Sequence, residues 1–370
     1  MERLTLYGGA TPAPFQGLRL YRLPSMESPS LRVAFIGPAS GNALRLARAL
    51  ERLGHTVSII DPASPLGASK WVARWLFHTG GFGVDWIIGR WLLQQTLATT
   101  PNLVFIAQGE FLGPSTLRSL RRLNVPIINY TVDNPFSGRD GLRFRYYRKA
   151  IRYYDLVAVA FEENIDHLRL AGQNRAMRIW LAADEKAHRP RFLDEAQRRR
   201  YCAEVSFIGT WMPERGPFMR ELVDRGVPLS IWGDRWQKAP EWDVIAPYWR
   251  GPGIYDDDGY AAAIQSSRIC LGLLSKGNRN LHSNRTFEIP ALGGLLCAER
   301  TSEHLALYDE GREAVFWRDA EECAAWCHRL LSDEPLRREI ARRGHERAIR
   351  NNCFNEPMLA SVLQSLNSGC

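Results

Sequence analysis

Residues 281–294 read LHSNRTFEIPALGG, and this stretch decides how the second half of the chain is read. An apolar run, Ile269–Leu274, precedes it, and a second apolar run, Leu295–Cys297, follows it. Short continuous apolar runs are typical of buried strands in a parallel sheet. Between the two runs the sequence predicts a polar loop over 275–281 and a short apolar helix. The stretch is therefore predicted to join two neighbouring parallel strands through a helix.

The start of that helix is predicted to bind an anion. Ser283 or Asn284 can cap it, because their side-chain oxygens accept hydrogen bonds from the free amides of the first turn. A helix start at the end of a parallel strand favours negative charge. Arg285 and Glu288 are three positions apart and share one helix face. An arginine fork suits a phosphate and a carboxylate suits a pair of ribose hydroxyls, so the spacing indicates a nucleotide site.

A plainer interpretation stays open for the same residues. Arginine and glutamate at this spacing commonly form an ion pair on a helix surface. Pro290 also removes a backbone hydrogen bond inside the predicted helix, so the helix is expected to bend or to start late.

The stretch resembles the R-T-F-E-x-x-A-x-G-G motif of the CgeB-like (spore-maturation-type) glycosyltransferases. The resemblance runs from about Leu31 to the last helix, and it is more specific in the C-terminal half than before residue 100. It implies a GT-B fold, an α/β architecture of two Rossmann-like domains facing a central cleft. It also implies that Glu288 binds the ribose of a nucleotide-sugar donor. Ser283, Arg285 and Thr286 of the motif, with His282 before them, are taken as further donor-side residues.

Length and charge leave several classes of protein possible. The 370 residues are enough for two domains, and a hydrophobic content of 45% supports ordinary buried cores. The formal net charge of +8 and a pI near 9.2 are compatible with an anionic donor, an anionic lipid surface or nucleic acid. The sequence holds no recognisable nucleic-acid-binding module, so no nucleic-acid partner is predicted.

The cysteines favour a reducing compartment. Their number, seven, is odd, and Cys270 and Cys297 lie in apolar, strand-like runs. Cys323 and Cys327 are one helical turn apart beside His328, which permits metal binding or helix packing. No second ligand pair has zinc spacing, so no metal site is predicted.

The chain is expected to be cytoplasmic. Its first fourteen residues lack the architecture of a signal peptide, and no apolar run is long enough to span a membrane. Two strand-like runs, Leu4–Tyr7 and Leu18–Leu23, are predicted either to extend the first sheet or to form a flexible arm.

Alternating strands and helices predict two open parallel sheets. The first domain is assigned to residues 1–185, a polar linker to 186–203 and the second domain to 204–370, with the last helix expected to cross back, as is common in GT-B proteins. The first strand-to-helix turn reads GPASG over 37–41, which is not the G-x-G-x-x-G of dinucleotide-binding proteins. A dehydrogenase is therefore disfavoured.

Residues 70–97 combine aromatic and basic side chains. Four tryptophans and two phenylalanines accompany Lys70, Arg74 and Arg90. The segment is predicted either as a helical pair that packs on the first sheet or as a surface for a lipid-linked acceptor. Tryptophan and arginine favour membrane interfaces, so contact with a membrane surface at the periphery of the protein stays open.

Asp133 is the candidate base on the acceptor side. It follows the predicted strand Pro126–Tyr130, and polar residues at this end of a parallel strand face the ligand crevice. The stretch 131–135 resembles the D-x-P-like loop at which the family's first domain meets the acceptor. The alternative is an Asx turn before Pro135.

The second domain opens with a strand that ends at Gly209. That glycine lets the backbone approach a ligand, and Arg215 lies just before the next predicted helix. The segment resembles the family's F-x-G-(x)n-R loop, which faces the donor diphosphate, although Arg215 could also be a solvated loop charge. The segment 235–253, rich in tryptophan and proline, is predicted on the nucleobase side of the cleft, and Asp256–Asp258 is predicted to cap a helix rather than to hold a metal.

These observations predict a glycosyltransferase that takes a nucleotide-sugar donor and works without a bound metal or separate cofactor. The leaving diphosphate must be stabilised, the sugar positioned and the acceptor hydroxyl deprotonated. The acceptor, whether a glycan, a lipid-linked molecule or a protein, is not predicted. Two alternatives remain: a non-catalytic nucleotide-sugar-binding protein of the same fold and, on charge alone, a nucleic-acid-binding protein.

Overall fold

The computed structural model describes residues 29–67 and 69–367. Over these residues the chain folds into two parallel sheets, each of six strands and each covered by helices. This confirms the predicted fold class. The strand-like runs 4–7 and 18–23 lie outside the described residues.

The first sheet is built from short apolar strands. They are β1 Arg32–Ile36, β2 Thr56–Ile60, β3 Leu103–Ala107, β4 Ile127–Thr131, β5 Leu156–Val159 and β6 Ala176–Arg178. Their order is β2-β1-β3-β4-β5-β6, and every pairing is parallel. All residues of β3 and β4 are buried. Burial explains the continuous apolar sequence of β3, whereas β4 buries Asn129 and Thr131 through side-chain hydrogen bonds.

Helices cover both faces of this sheet. They are α1 Gly41–Arg52, α2 Lys70–Thr79, α3 Asp85–Ala98, α4 Pro114–Arg121, α5 Arg145–Ala150 and α6 Glu163–Leu170, with 3₁₀ turns at Ser64–Leu66 and Ile151–Tyr153. The basic stretch 139–152 is helical only from Arg145 onward, although its composition predicts a helix over its whole length. Gly138 and Gly141 adopt positive φ angles, which lie outside the helical region, so residues 139–144 form turns.

The second sheet has the same design. Its strands are β7 Ala203–Ile208, β8 Leu229–Trp232, β9 Trp249–Gly251, β10 Ser267–Gly272, β11 Leu296–Glu299 and β12 Val315–Trp317. They are arranged in the order β12-β11-β10-β7-β8-β9, again with parallel pairing. The central strands β7 and β10 point their carboxyl ends at the same edge, where ligands bind in open α/β sheets.

The remaining helices connect these strands and close the chain. They are α7 Glu195–Tyr201, α8 Arg215–Asp224, α9 Trp242–Ile245, α10 Asp257–Gln265, α11 Asn284–Ala291, α12 Ser302–Leu307, α13 Ala320–Ser332, α14 Glu334–Asn351 and α15 Asn355–Asn367, with 3₁₀ turns at Trp236–Lys238 and Ala246–Tyr248. Across residues 29–67 and 69–367, no helix combines the length and apolar character that crossing a bilayer requires.

The chain passes between the two sheets twice, and the crossings lie side by side. Ala183 of the first crossing donates its N–H to the carbonyl of Cys353 (3.1 Å) and accepts from the N–H of Asn355 (2.9 Å) in the second. Helix α15 then packs against α1, where Met358 shares a core cluster with Leu50. The last helix therefore lies on the layer that covers the first sheet.

Candidate functional site

A cavity of about 340 Å³ opens between the two sheets, at their carboxyl edges. From the first sheet it is lined by the start of α1, namely Gly41, Asn42 and Arg45. The second sheet contributes the end of β7, the segment 253–255 before α10, and Tyr260 of α10. Helix α11 contributes Asn284, Arg285 and Glu288. The predicted nucleotide stretch therefore faces the space between the two domains.

Helix α11 accommodates its proline without breaking. Pro290 lies in the last turn, so the N–H it lacks would have bonded to the carbonyl of Thr286. The hydroxyl of Tyr308 donates to that carbonyl instead (2.8 Å). The expected disturbance is confined to the helix end, and Arg285 and Glu288 stay on one regular turn.

Glu288 is buried and only partly bonded. Its side chain is 7% exposed, and Oε2 accepts a hydrogen bond from the Tyr260 hydroxyl (2.7 Å). The other oxygen, Oε1, lies 3.6 Å from His188 Nε2, which is longer than a hydrogen bond. One carboxylate oxygen is thus fixed, and the other is available to a ligand in the cavity.

The alternative of an exposed ion pair between Arg285 and Glu288 is wrong. Glu288 is buried, and no ion pair joins the two side chains in the described structure. Arg285 instead donates from Nε to the carbonyl of Ile208 (2.7 Å). This leaves the two terminal guanidinium nitrogens without a protein acceptor among residues 29–67 and 69–367.

The loop after β7 is held by three successive carbonyls. Ile208 accepts from Arg285, Gly209 from the indole N–H of Trp236 (3.0 Å), and Thr210 from Arg215 Nη1 (2.7 Å). A Cβ on Gly209 would lie 2.7 Å from the Phe207 ring, so this position requires glycine. Gly209 lines the cavity, at the position where the sequence places a close approach to a ligand. Arg215 does not line the cavity, and its hydrogen bond to the Thr210 carbonyl fixes the shape of the loop.

Positive charge accumulates at this loop. Arg215 is buried, and neither it nor Arg285 has a carboxylate partner in the part of the chain that the structure describes. Burial, followed by the nearby Arg285 guanidinium, lowers the pKa of Arg215 to about 10. Across the cavity, Arg45 of the first domain pairs with Asp257 of the second. Unpaired cations beside a cavity favour an anionic ligand.

His188 is a cavity residue that the sequence interpretation missed, because it lies in the segment read as a linker. Its Nδ1 accepts from the backbone N–H of Asp184 (2.8 Å), so in the neutral ring the proton is assigned to Nε2, which faces Glu288. Burial lowers the pKa of His188, with Glu288 opposing that shift. The neutral imidazole therefore turns its N–H towards the Glu288 carboxylate, at a distance longer than a hydrogen bond. No sequence pattern marked this residue.

Two predicted donor residues face the protein interior instead. His282 is buried; its Nε2 accepts from the N–H of Leu181 (3.2 Å) and its Nδ1 contacts Glu303. Thr286 is also buried, and its hydroxyl accepts from the Ser283 N–H (3.0 Å) and contacts His304 (2.9 Å). Neither lines the cavity, because their polar atoms are already used by the protein. We correct both assignments: these residues position the start of α11.

Ser283 does not line the cavity either, but it has an unusual environment. Its backbone is extended immediately before α11, and its hydroxyl oxygen is buried without a partner in the described structure. The next residue, Asn284, lines the cavity, and its N–H is in the first helical turn, where no preceding carbonyl is available. The structure thus places the first residue of α11, whose backbone amide is part of the predicted anion site, at the cavity.

Asp133 is separated from the cavity lining. Its carboxylate pairs with Arg143 (3.2 Å), which also contacts Glu110 (3.2 Å) and Asp140 (3.0 Å). Burial raises the pKa of Asp133, while Arg143 opposes the rise. The neighbouring Asn134 forms the Asx turn that was the alternative for this loop, since its side chain accepts from the Phe136 N–H (3.0 Å).

The segment 235–253 was expected on the nucleobase side of the cleft, but its tryptophans do not line the cavity. Trp236 is fully buried in the core of the second domain, and Trp249 belongs to β9, an edge strand that was not predicted. The cavity is lined instead by the residues that follow, Gly253, Ile254 and Tyr255.

Metal-binding potential lies away from the cavity. Among the described residues, the sulfur atoms of Cys297, Cys323 and Cys327 form the one group close enough to hold an ion, within 4.8 Å of one another. All three belong to the apolar core of the second domain, where buried thiols commonly pack as small hydrophobic groups. Asp256 caps α10, as predicted, by accepting from the Gly259 N–H (2.6 Å).

Comparison with solved structures identifies the architecture as the GT-B fold. The crystal structure of HepE from Anabaena in complex with UDP-glucose aligns with a TM-score of 0.64 and 12% identity, over 91% of this chain and 100% of that one. Sucrose-phosphate synthase from Thermosynechococcus elongatus aligns with a TM-score of 0.63 and 14% identity, over 91% and 98%. A putative UDP-N-acetylglucosamine 2-epimerase from Listeria monocytogenes aligns with a TM-score of 0.55 and 10% identity, over 90% and 94%. At these identities the likeness shows the fold alone.

The sequence comparison is narrower. Residues 215–356 match the family model described as glycosyl transferase-like. The matched region contains α11 and both of its cavity-facing side chains, Arg285 and Glu288. No curated protein matches the chain.

Proposed function

We propose that the protein is a glycosyltransferase that uses a nucleotide-sugar donor. The proposal rests on one observation: Arg285 and Glu288 lie on one turn of α11, and both line the cavity between the domains. Within the part of the chain that the structure describes, the two terminal nitrogens of the arginine have no acceptor and one oxygen of the carboxylate has no donor. The match of residues 215–356 to the glycosyl transferase-like family supports transfer as the reaction. The R-T-F-E motif supports placement among the CgeB-like proteins.

The donor is proposed to lie with its diphosphate at the start of α11. The first-turn amides and the Arg285 guanidinium supply hydrogen-bond donors and positive charge there. The ribose hydroxyls then reach Glu288, whose carboxylate is oriented by a hydrogen bond from Tyr260. UDP is the first nucleotide to test, because the structural neighbour HepE was crystallised with UDP-glucose.

The transfer step breaks the bond between the anomeric carbon and the diphosphate oxygen and forms a bond to the acceptor oxygen. Arg285, with the first-turn amides of α11, is proposed to stabilise the negative charge that develops on the leaving diphosphate. These groups can serve in place of a metal ion, so we propose metal-independent transfer. Asp133 is retained as the proposed acceptor-side base; its position after the end of β4 and its pKa, which burial raises, support this role.

The activity is tested by incubating the purified protein with UDP-sugars and measuring release of UDP, with and without a chelator. We expect slow release by transfer to water, which persists in the chelator and is lost in Glu288→Gln. The matched control is Glu334→Gln, the same change at a half-exposed position on α14. Asp133→Asn should lower release while leaving UDP affinity unchanged.

The same assay separates the alternatives. Donor binding without any cleavage would favour a non-catalytic nucleotide-sugar-binding protein. Conversion of the sugar while it stays attached to the nucleotide would favour an epimerase, the class named for the neighbour from Listeria. Loss of activity in the chelator, restored by a divalent cation, would contradict metal-independent transfer.

A further inference from the structure

Helices α2 and α3 expose a group of large apolar side chains that the cleft does not use. Two tryptophans protrude furthest, with Trp71 78% exposed and Trp86 66% exposed. We call the group the aromatic face: Trp71, Phe77, Phe82, Trp86, Ile87 and Leu97. Six large apolar side chains exposed within residues 71–97 are more than the scattered single residues that a soluble surface normally carries, and such grouping marks an interaction site.

The opposite side of the helix pair packs on the protein. Ile88 and Leu92 are fully buried in the core beside the first sheet, and Gly89 lies directly against the backbone of Thr116. The helix pair therefore packs on the first sheet with one side, as one of the two predictions for this segment had it, and leaves its other side exposed. Ile88 and Leu92 point inward, whereas Ile87, Leu97 and most of the aromatic residues point outward.

The charges around the aromatic face have one sign. Lys70, Arg74 and Arg90 are exposed on the same two helices. The single acid of residues 70–97 is Asp85, and its carboxylate is used inside the protein, where it accepts from the N–H groups of Gly113 and Ser115 (2.8 and 2.9 Å). The face thus combines apolar aromatic rings with free positive charge and presents no free carboxylate of its own.

This combination fits an anionic lipid surface better than another protein. Tryptophan rings locate at the boundary between headgroups and acyl chains, and lysine and arginine are attracted by anionic headgroups. The strength of such interfacial binding grows with both the apolar area buried and the attraction to anionic lipids. A second copy of this chain would bring like charges together, since the face is basic and so is the whole protein, with its net charge of +8.

The aromatic face also adjoins the proposed acceptor side. The ring of Phe77 packs on the guanidinium of Arg143, with 5.1 Å between the guanidinium carbon and the ring centre. The same guanidinium pairs with Asp133 (3.2 Å). A surface bound by the aromatic face would therefore lie on the side of the first domain that holds Asp133, the proposed acceptor-side base.

We propose that the aromatic face docks the protein onto an anionic lipid bilayer, with Trp71 and Trp86 inserted among the headgroups. Docking does not depend on the proposed reaction, because it can be measured without a donor. If the proposed function also holds, docking would bring a lipid-linked acceptor to the cleft.

The test is flotation of the full-length protein with vesicles of phosphatidylcholine alone or mixed with phosphatidylglycerol. We expect binding to the mixed vesicles that weakens with salt and little binding to phosphatidylcholine. The double variant Trp71→Ser/Trp86→Ser and the charge reversal Lys70→Glu/Arg74→Glu should each reduce vesicle affinity by about ten-fold or more. Because all four side chains are exposed, both variants should keep the wild-type melting temperature.

Matched controls use exposed residues elsewhere. Phe192→Ser removes an aromatic ring that is 90% exposed, and Arg220→Glu reverses a half-exposed charge on α8, so both should bind like the wild type. Absence of vesicle binding, equal binding to both vesicle types, or binding unaffected by the two face variants would overturn the proposal. Self-association that depends on Trp71 and Trp86, without vesicle binding, would overturn it in favour of an interface between copies of the chain.

Discussion

The most informative perturbation of the cleft is Glu288→Gln, because the structure separates the two oxygens of this carboxylate. Oε2 is held by the Tyr260 hydroxyl, and a glutamine carbonyl can keep that hydrogen bond. The other position, facing His188 and the cavity, then carries an uncharged amide in place of the carboxylate oxygen. The substitution keeps the shape of the helix and removes the proposed charged acceptor for the ribose.

The size of the effect follows from the hydrogen bond that is lost. A hydrogen bond to a charged group contributes roughly 1.5–3 kcal/mol. This corresponds to a loss of about ten-fold to more than a hundred-fold in affinity. Tyr260→Phe should do less, since it only releases the carboxylate from its anchor. A net contribution of about 0.5–1.5 kcal/mol predicts roughly a two-fold to ten-fold loss.

The assay is calorimetric titration of each variant with UDP and with uridine. Glu288→Gln and Tyr260→Phe should weaken both ligands, because both contain ribose. Arg285→Ala should weaken UDP and leave uridine almost unchanged, because its proposed partner is the diphosphate. Glu334→Gln controls for the loss of one negative charge, and melting temperatures show whether each variant remains folded.

The contrast between the two ligands is what can refute the reasoning. Wild-type affinity of Glu288→Gln for uridine would remove the ribose assignment. An equal loss of UDP and uridine affinity in Arg285→Ala would show that this residue acts through the loop it holds at Ile208 and not through phosphate. Either outcome would require a different ligand pose in the cleft.

Three further predictions concern the surroundings of the site. Gly209→Ala should lower both UDP affinity and the melting temperature, because the new Cβ would lie 2.7 Å from the Phe207 ring, and overpacking of this kind costs about 1–3 kcal/mol; unchanged values by calorimetry and thermal unfolding would contradict it. His188→Asn should weaken uridine binding by less than Glu288→Gln does, because the His188 ring lines the cavity but lies 3.6 Å from the Glu288 carboxylate, beyond hydrogen-bond distance, and calorimetry can rank the two losses. Burial lowers the pKa of His304 to about 4, whereas an unfolded histidine has a pKa of about 6.5. The folded state is therefore favoured in full above about pH 6.5, where the ring is neutral in both states, and this contribution to stability is lost as the pH falls from there towards 4. The total is about 3 kcal/mol, and urea unfolding of wild type and His304→Gln at several pH values should show a steeper decline in the wild type.

Much of the second domain could be predicted from its sequence because its signals are local. The apolar runs around α11 mark β10 and β11, and the spacing of Arg285 and Glu288 places both side chains on one turn. The motif does not show which way its other polar residues point. His282 and Thr286 are in the same stretch, yet their hydrogen-bond partners, Leu181 and His304, come from other elements.

His188 shows the limit of local patterns. It lies in a polar segment without helical or strand periodicity. The two groups beside its ring nitrogens, the Asp184 N–H and the Glu288 carboxylate, are far apart in the sequence. Asp184 fixes its tautomer from four residues away, whereas Glu288 belongs to the second domain. These groups meet where the chain passes between the two sheets, which is a tertiary arrangement. The composition of residues 186–203 does not show it, and composition alone predicts a linker there.

The two sides of the cleft differ in how close together in the sequence their lining residues lie. The donor side depends mainly on one helix and one loop, α11 and the end of β7, so a short motif can specify it. The first-domain side is assembled from separate strand ends: Gln108 follows β3, Val132 follows β4, and both line a smaller cavity that shares Arg45 and His188 with the main one. Residues that converge from several strands leave no fixed spacing in the sequence, and loops at strand ends vary with the ligand they contact. The acceptor must therefore be identified from the surfaces that meet there, and the aromatic face beside Asp133 points to a lipid surface as the place to search.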